Sequence, residues 1–322
     1  MRTNKRMLDA QSGQKDEFYT KYETISAELP YYAEFLQGKH VYCNCDNPKA
    51  SNFWSYLYDN FVTLGLASLT ATFYGQDATK TVVTLKNGHL VEQVTALCGN
   101  GDYRSAECVD ILKQCDVVIT NPPFSLTKQF VPLMYKYGKD FIILGNQNIL
   151  TFRDVYPHVL DHTLHLGVTI HAGDVEFEIP ASYDLIGNAC FKGTKQYARV
   201  TGIRWFTSFN HGHYAEPMDL HSAQWNLENN TSLCNALYKK YQVEGYPQYD
   251  NYPAIEVPYT SAIPSDYTGI IGVPITFLDK YNPEQFKLVG FRKGLDGKDL
   301  NIGGKAPYFR FLVQRRQEVV AV

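Results

Sequence analysis

The chain has 322 residues, 44% of them hydrophobic, which allows one large or two modest domains with a packed core. A net charge of −3 argues against a protein that coats nucleic acid through unspecific charge, while leaving room for a local basic groove. Seven cysteines without zinc-ligand spacing, no leader and no apolar run near 18 residues predict a soluble cytoplasmic protein with reduced thiols and no bound metal.

Residues 1–14 are polar and predict a flexible arm. From about 38 to 190, short apolar runs alternate with amphipathic stretches. Residues 38–43 read as a strand that leads into the polar turn Asn44-Cys45-Asp46-Asn47-Pro48. Ser51 is placed to cap a helix over 51–61, and residues 67–74 form a second strand. Asn87-Gly88 marks a hairpin turn within 81–97. A short helix over 107–114 precedes the strand 116–120, followed by a helix over 126–137 and a strand over 140–144. Strand and helix in alternation imply a mostly parallel sheet covered on both faces, with ligands beyond the carboxyl ends of its strands.

The tetrapeptide Asn121-Pro122-Pro123-Phe124 ends one of those strands. The Asn121 side-chain oxygen and the Pro122 carbonyl can each accept a hydrogen bond from the same planar amino group. The prolines stiffen the backbone that presents them, and Phe124 offers a face for a ring to stack on. Such a group serves the methylation of an exocyclic amine on a base or of a side-chain amide. An ordinary proline turn is the plainer alternative. In Gly99-Asn100-Gly101-Asp102-Tyr103, Asp102 is placed to accept from the adenine amine of a nucleotide-like cofactor, with Tyr103 against its ring; a self-satisfied turn aspartate is the alternative. Asp46 is suited to a cofactor ammonium, or to an Asx turn that caps the next helix. The turn after the first strand lacks a glycine-rich fingerprint. His211-Gly212-His213 reads as loop.

Beyond 190, residues 198–209 alternate with period two and predict an antiparallel strand. Residues 210–268 are rich in Tyr, Asn, His and Pro and predict a loop-rich recognition surface. Residues 281–322 carry eight basic side chains, Arg292 and Lys293 among them, against four acidic ones, a local charge of +4. Lys192, Lys195, Arg199 and Arg204 form a second basic cluster, and each cluster suits phosphates or an ordinary solvated face.

In this order the motifs resemble the EcoRI-type adenine-specific DNA methyltransferase family. The likeness is carried by Lys15 to Thr20, Tyr42 to Asp46 with Ser51-Asn52-Phe53, Gly101 to Ser105, Asn121 to Phe124, Gly202 to Phe206 and Gly272 to Pro283. The resemblance implies a Rossmann-like class I methyltransferase sheet, mostly parallel with an antiparallel late strand, beside a loop-rich target-recognition region. It implies S-adenosylmethionine as methyl donor, held by Phe18, Tyr19, Thr20, Cys45, Asp46, Asn47, Asp102 and Tyr103. It implies Asn121, Pro122 and Phe124 as catalytic residues and a flipped adenine in double-stranded DNA as substrate. Residues 15–209 then make the catalytic domain and 210–322 the target-recognition region, with Arg204, Arg292 and Lys293 as candidate DNA contacts. A restriction-modification or anti-restriction role in a prokaryotic or phage-infected cell follows. Oligomeric state stays open, with a monomer favoured. A methyltransferase of RNA or of a protein glutamine amide, and a non-catalytic DNA-binding module, are the alternatives.

Overall fold

A computed structural model describes residues 18–171, 173–179, 190–192, 195–292 and 300–316. The arm at 1–14, Lys15 to Glu17 and Lys293 lie outside the described residues. Contacts divide the chain into two compact units, Met1–Val155 with His162–His211, and Tyr156–Asp161 with Gly212–Val322.

The first unit is a mixed α/β structure around a large sheet. Its strands are β2 (His40–Cys43), β3 (Ser68–Thr72), β4 (Thr79–Lys86), β5 (His89–Ala96), β6 (Val117–Thr120), β7 (Asp140–Asn146), β8 (His165–Leu166) and β12 (Ile203–Thr207), in the order β5-β4-β3-β2-β6-β7-β12-β8. β3, β2, β6 and β7 run parallel, whereas β4, β5 and β12 pair antiparallel with their neighbours. Every residue of β3, β6 and β12 is buried, as expected of strands covered on both faces. The chain leaves β2 toward β3 on one side and returns to β6 on the other. The carboxyl ends of β2 and β6 therefore flank the point where strand order reverses, where α/β sheets open a crevice for ligands.

Local chemistry sets the boundaries. After helix α1 (Tyr22–Glu28), helix α2 (Asn52–Asp59) starts at Ser51, whose Oγ accepts from the N–H groups of Phe53 and Trp54. Helix α3 (Ala106–Lys113) is capped in the same way by Ser105. Asn87 and Gly88 adopt φ of 51° and 78°, the left-handed pair that a tight hairpin between β4 and β5 requires. Helix α4 (Thr127–Lys136) begins three residues after the end of the proline tetrapeptide.

A second, four-stranded sheet lies in the same unit, ordered β1 (Tyr19–Thr20), β9 (Asp174–Ile179), β11 (Lys195–Thr201), β10 (Cys190–Lys192). Val175, Phe177 and Ile179 form its buried face. The alternating stretch 198–209, expected as one strand, breaks at Gly202, where φ is 72°. β11 ends the small sheet there and β12 enters the large one, so a single period-two pattern feeds two sheets.

The second unit holds a five-stranded sheet, β13 (Gln248–Tyr249), β14 (Tyr252–Glu256), β15 (Ile270–Val273), β19 (Arg310–Arg315) and β16 (Phe286–Arg292), with a separate hairpin of β17 (Leu300–Ile302) and β18 (Lys305–Tyr308). The stretch expected to be loop-rich also contains helices Ala223–Asn229 and Thr231–Tyr241. Glu256 is fully buried and accepts from Tyr241, Tyr249 and the Arg310 guanidinium. No helix among the described residues is long and apolar enough to cross a membrane.

Candidate active site

Asn121 leaves the end of β6 half-buried. Its Nδ2 donates to the Phe18 carbonyl at 2.6 Å, which fixes the amide and leaves Oδ1 as the other pole. That oxygen is buried and has no hydrogen-bond partner among the described residues. A buried acceptor left unpaired costs about 1–3 kcal/mol, so a fold that keeps one at a strand end is prepared for a donor from outside. Pro122 beside it is buried, and Phe124 is 9% exposed. The Phe124 ring stacks on Phe18 with centroids 5.5 Å apart and meets Phe177 of β9 edge-on at 5.7 Å.

The strand β1 crosses this corner as a strap. Asn52, the first residue of α2, donates from Nδ2 to the Thr20 carbonyl at 2.7 Å, while Asn121 holds the Phe18 carbonyl. Two asparagines thus clamp alternate carbonyls of residues 18–20, and Thr20 and Tyr19 pair with Phe177 and Glu178 on the other side. Thr20 Oγ1 is buried and also lacks a partner among the described residues.

After β2, Asn44 is 2% exposed and its Oδ1 is a third such oxygen. Asp46 is occupied. Its Oδ1 accepts from Ser51 Oγ at 2.6 Å, its Oδ2 from Thr120 Oγ1 at 2.5 Å, and its N–H donates to the Thr72 carbonyl at 3.1 Å. One residue thereby ties the ends of β3 and β6 to the start of α2, by its backbone N–H to the first and by its carboxylate to the others. Burial lifts the carboxyl to about 6, against the opposing pull of the two hydroxyls. Burial, with the Asp46 charge second, also pushes the Cys45 thiol up, which keeps it protonated and unreactive. Asn47 Oδ1 accepts from the Lys49 N–H at 3.0 Å, an Asx turn.

The loop at 99–104 lies against the end of β3. The Gly75 N–H donates to the Asn100 carbonyl at 2.9 Å. Gly101 has φ of 75°, and a Cβ there would stand 1.9 Å from the Phe73 carbonyl oxygen, so only glycine fits. Glu107, which sequence inspection did not single out, accepts from the N–H groups of Cys98 and Gly99, each at 3.0 Å. Tyr103 is buried, its ring 5.2 Å from Phe130, and its hydroxyl donates to the Leu126 carbonyl. Hydrogen bonds from Arg104 hold the Asp102 carboxyl below the usual carboxylate range.

The family model for adenine-specific methyltransferase EcoRI matches residues 6–317. The chain belongs to this family. It is 40% identical to the type II methyltransferase M.EcoRI of Escherichia coli, over 98% of each chain. It is 31% identical to the type II methyltransferase M.MgeORF184P of Mycoplasma genitalium, over 96% of this chain and 98% of that one. It is 30% identical to M.MpnI of Mycoplasma pneumoniae, over 97% and 98%. No solved structure matches the chain.

The structure brings Phe18, Tyr19, Thr20, Cys45, Asp46, Asn121, Pro122 and Phe124 to one corner of the first unit, with Asp102 and Tyr103 on the loop beside the end of β3. The orphaned oxygens of Thr20, Asn44 and Asn121 at this edge fit a methyl donor that brings hydrogen-bond donors of its own. Arg204 is elsewhere. It is 4% exposed, and its guanidinium donates to the carbonyls of Ile203 and His171 at 2.7 and 3.0 Å. This corrects the expectation of a DNA contact there: β12 is buried on both faces, so an even alternation did not imply a solvent face. Arg292 lies over the Tyr252 ring at 4.9 Å. Among the described residues no group of His, Cys, Asp or Glu is placed to hold a metal ion.

Proposed function

We propose that this adenine-specific DNA methyltransferase takes its methyl group from S-adenosylmethionine and places it on the exocyclic amine of an adenine turned out of duplex DNA. The observation that carries the reading is the buried, unpartnered Asn121 Oδ1 at the end of β6, beside the Pro122 carbonyl and the Phe124 ring. The parallel order β3-β2-β6-β7 with β12 antiparallel supports a Rossmann-like class I methyltransferase sheet for the first unit.

Phe18 to Thr20, Cys45 to Asn47, Asp102 and Tyr103 would hold the methyl donor, with Asn44 and its buried oxygen joining them. When bound, S-adenosylmethionine supplies a methyl carbon made electrophilic by a positively charged sulfur. Asn121 Oδ1 and the Pro122 carbonyl accept the two hydrogens of the target amine. This withdraws the nitrogen lone pair from conjugation with the ring and aims it outward. Phe124, nearly buried with one face on Phe18, would have its other face to offer the extruded base, whose removal from the stack costs a few kcal/mol. No strong base is needed, because an alkylated amine sheds its proton readily to solvent. Positioning by the strap and the two oxygens supplies most of the acceleration.

Residues 210–322 form the target-recognition region in this reading, with the exposed rings of Trp225, Tyr238 and Tyr259 available to DNA. The names of the relatives support a modification enzyme of a type II restriction system working in the cytoplasm of a bacterium or an infecting phage's host. The test is twofold. The purified protein is offered DNA, RNA and protein with radiolabelled methyl donor, and DNA from cells that express it is sequenced for methylated adenine. Label in DNA, at adenines within one short sequence, is expected; label confined to RNA or protein would overturn the proposal.

A further inference from the structure

Asp102 is not free to choose its direction. Arg104 Nε donates to Asp102 Oδ1 at 2.9 Å and Nη2 donates to Oδ2 at 2.6 Å, while the Arg104 backbone N–H donates to Oδ1 at 2.9 Å. The remaining edge of the guanidinium is used as well, because Nη1 donates to Gln129 Oε1 at 2.9 Å. Gln129 sits in the first turn of α4, the helix that begins three residues after the catalytic tetrapeptide. Tyr103, between Asp102 and Arg104, adds its ring against Phe130 and its hydroxyl on Leu126 of the same helix start. The loop that offers Asp102 is therefore stitched to the segment that offers Asn121.

A carboxylate has about four lone-pair positions. Three are filled here, two on Oδ1 and one on Oδ2. The planar guanidinium fork holds both oxygens in one plane, which a single ammonium does not do. The Asp102 side chain is 24% exposed, so without that fork it would sample several rotamers in water. We infer that Arg104 is a positioning residue that sets the enzyme's preference for a 6-aminopurine in its methyl donor, by leaving Asp102 one acceptor position, on Oδ2, for an amino group. The inference rests on the proposed function, with the Asp102 carboxylate taking the adenine amine of the methyl donor it helps to hold. A 6-oxopurine would set a carbonyl oxygen against that acceptor, with no proton to share.

The test uses calorimetry on the full-length enzyme with two probes, S-adenosylhomocysteine and its S-inosyl analogue. Wild type is expected to favour the adenosyl compound strongly. Arg104→Ala is expected to cut that preference about tenfold or more, the factor one charge-assisted hydrogen bond contributes. Arg104→Lys recovers part of it, since a lysine makes a single-point contact in place of the fork. Gln129→Ala keeps the fork and loses only its tether, so it falls between wild type and Arg104→Ala. The backbone N–H to Oδ1 persists in every variant and keeps the turn, which an unchanged thermal melt checks. A wild type without preference overturns the role of Asp102 and the inference with it. A wild-type preference that survives intact in Arg104→Ala, or an equal loss of affinity for both probes, overturns the role of Arg104 alone.

Discussion

Asn121→Ala separates catalysis from stability in a way that few active-site substitutions do. The substitution removes two things, the unpaired Oδ1 and the Nδ2 bond to the Phe18 carbonyl. Losing the made bond strands the Phe18 carbonyl, a cost of about 1–3 kcal/mol, and losing the buried orphan relieves a penalty of the same size. The two offset, so the variant is expected to melt close to the wild-type temperature. The chemical step loses an acceptor that acts where charge develops on the amine, an effect of roughly 10²–10³ in rate, or about 2.7–4 kcal/mol. Single-turnover methylation of a short duplex at saturating methyl donor measures that step, and calorimetry with S-adenosylhomocysteine measures the donor site separately. The expected result is a rate down at least a hundredfold, with donor affinity within a few-fold of wild type. A rate within tenfold of wild type would refute the assignment of Oδ1 as the amine's acceptor.

Three further substitutions probe the surroundings. Burial raises the Asp46 carboxyl from 3.8 in the unfolded chain to about 6 in the fold, so the native state holds its proton more tightly. Stability on this group is therefore full below about pH 4 and is lost as pH rises through about 6, a difference of about 3 kcal/mol. Asp46→Asn should flatten that part of a urea-unfolding profile taken between pH 4.5 and 7.5, and a profile identical to wild type removes the assignment. Gly101→Ala adds a Cβ against the Phe73 carbonyl at a left-handed φ, which should destabilise the fold by about 2–5 kcal/mol and weaken donor binding. A melt unchanged from wild type would show that the loop does not sit on β3. Asn52→Ala releases the Thr20 end of the strap, and donor affinity should fall about fivefold with kcat at saturation nearly kept; a loss confined to kcat would place the strap's role in chemistry instead.

What was legible in the sequence was the frame. Val117 to Thr120 reads as a buried strand because it is continuously apolar or β-branched, and Ser51 reads as a cap because its oxygen precedes a helical period. Asn87-Gly88 reads as a tight turn because those two residues tolerate positive φ at least cost. What was not legible were partnerships distant in sequence. Nothing local marks Asn52 as the holder of Thr20, 32 positions away, or Gln129 as the anchor of Arg104, 25 positions away. The period-two run at 198–209 misled for a related reason. Alternation records which face of a strand is apolar, but the break at Gly202 sends the second half to a sheet buried on both sides, where Arg204 must find backbone carbonyls instead of solvent. The helices after residue 222 escaped because Asn and Ser caps in a Tyr-rich, polar stretch resemble turn chemistry until their periods are counted.

The turn after β2 explains why a glycine-rich fingerprint is dispensable here. Glycine is needed where the backbone must adopt positive φ or admit a ligand closer than a Cβ allows. Asn44, Cys45, Asp46 and Asn47 all keep ordinary negative φ. The turn is shaped by Asp46 instead, whose carboxylate fixes the start of α2 through Ser51 and the end of β6 through Thr120, while its backbone N–H holds the end of β3 at Thr72. A glycine is required at Gly101, where φ is positive and a Cβ would strike the Phe73 carbonyl of the loop's own packing. A buried carboxylate thus takes over the ordering that glycines perform elsewhere. Its consequence is a dependence on pH, because the ordering group is one whose burial opposes its own charge. The same dependence makes the substitution of Asp46 informative, since an amide keeps the shape of the carboxylate, removes the charge and asks one of the two hydroxyls to turn from donor to acceptor.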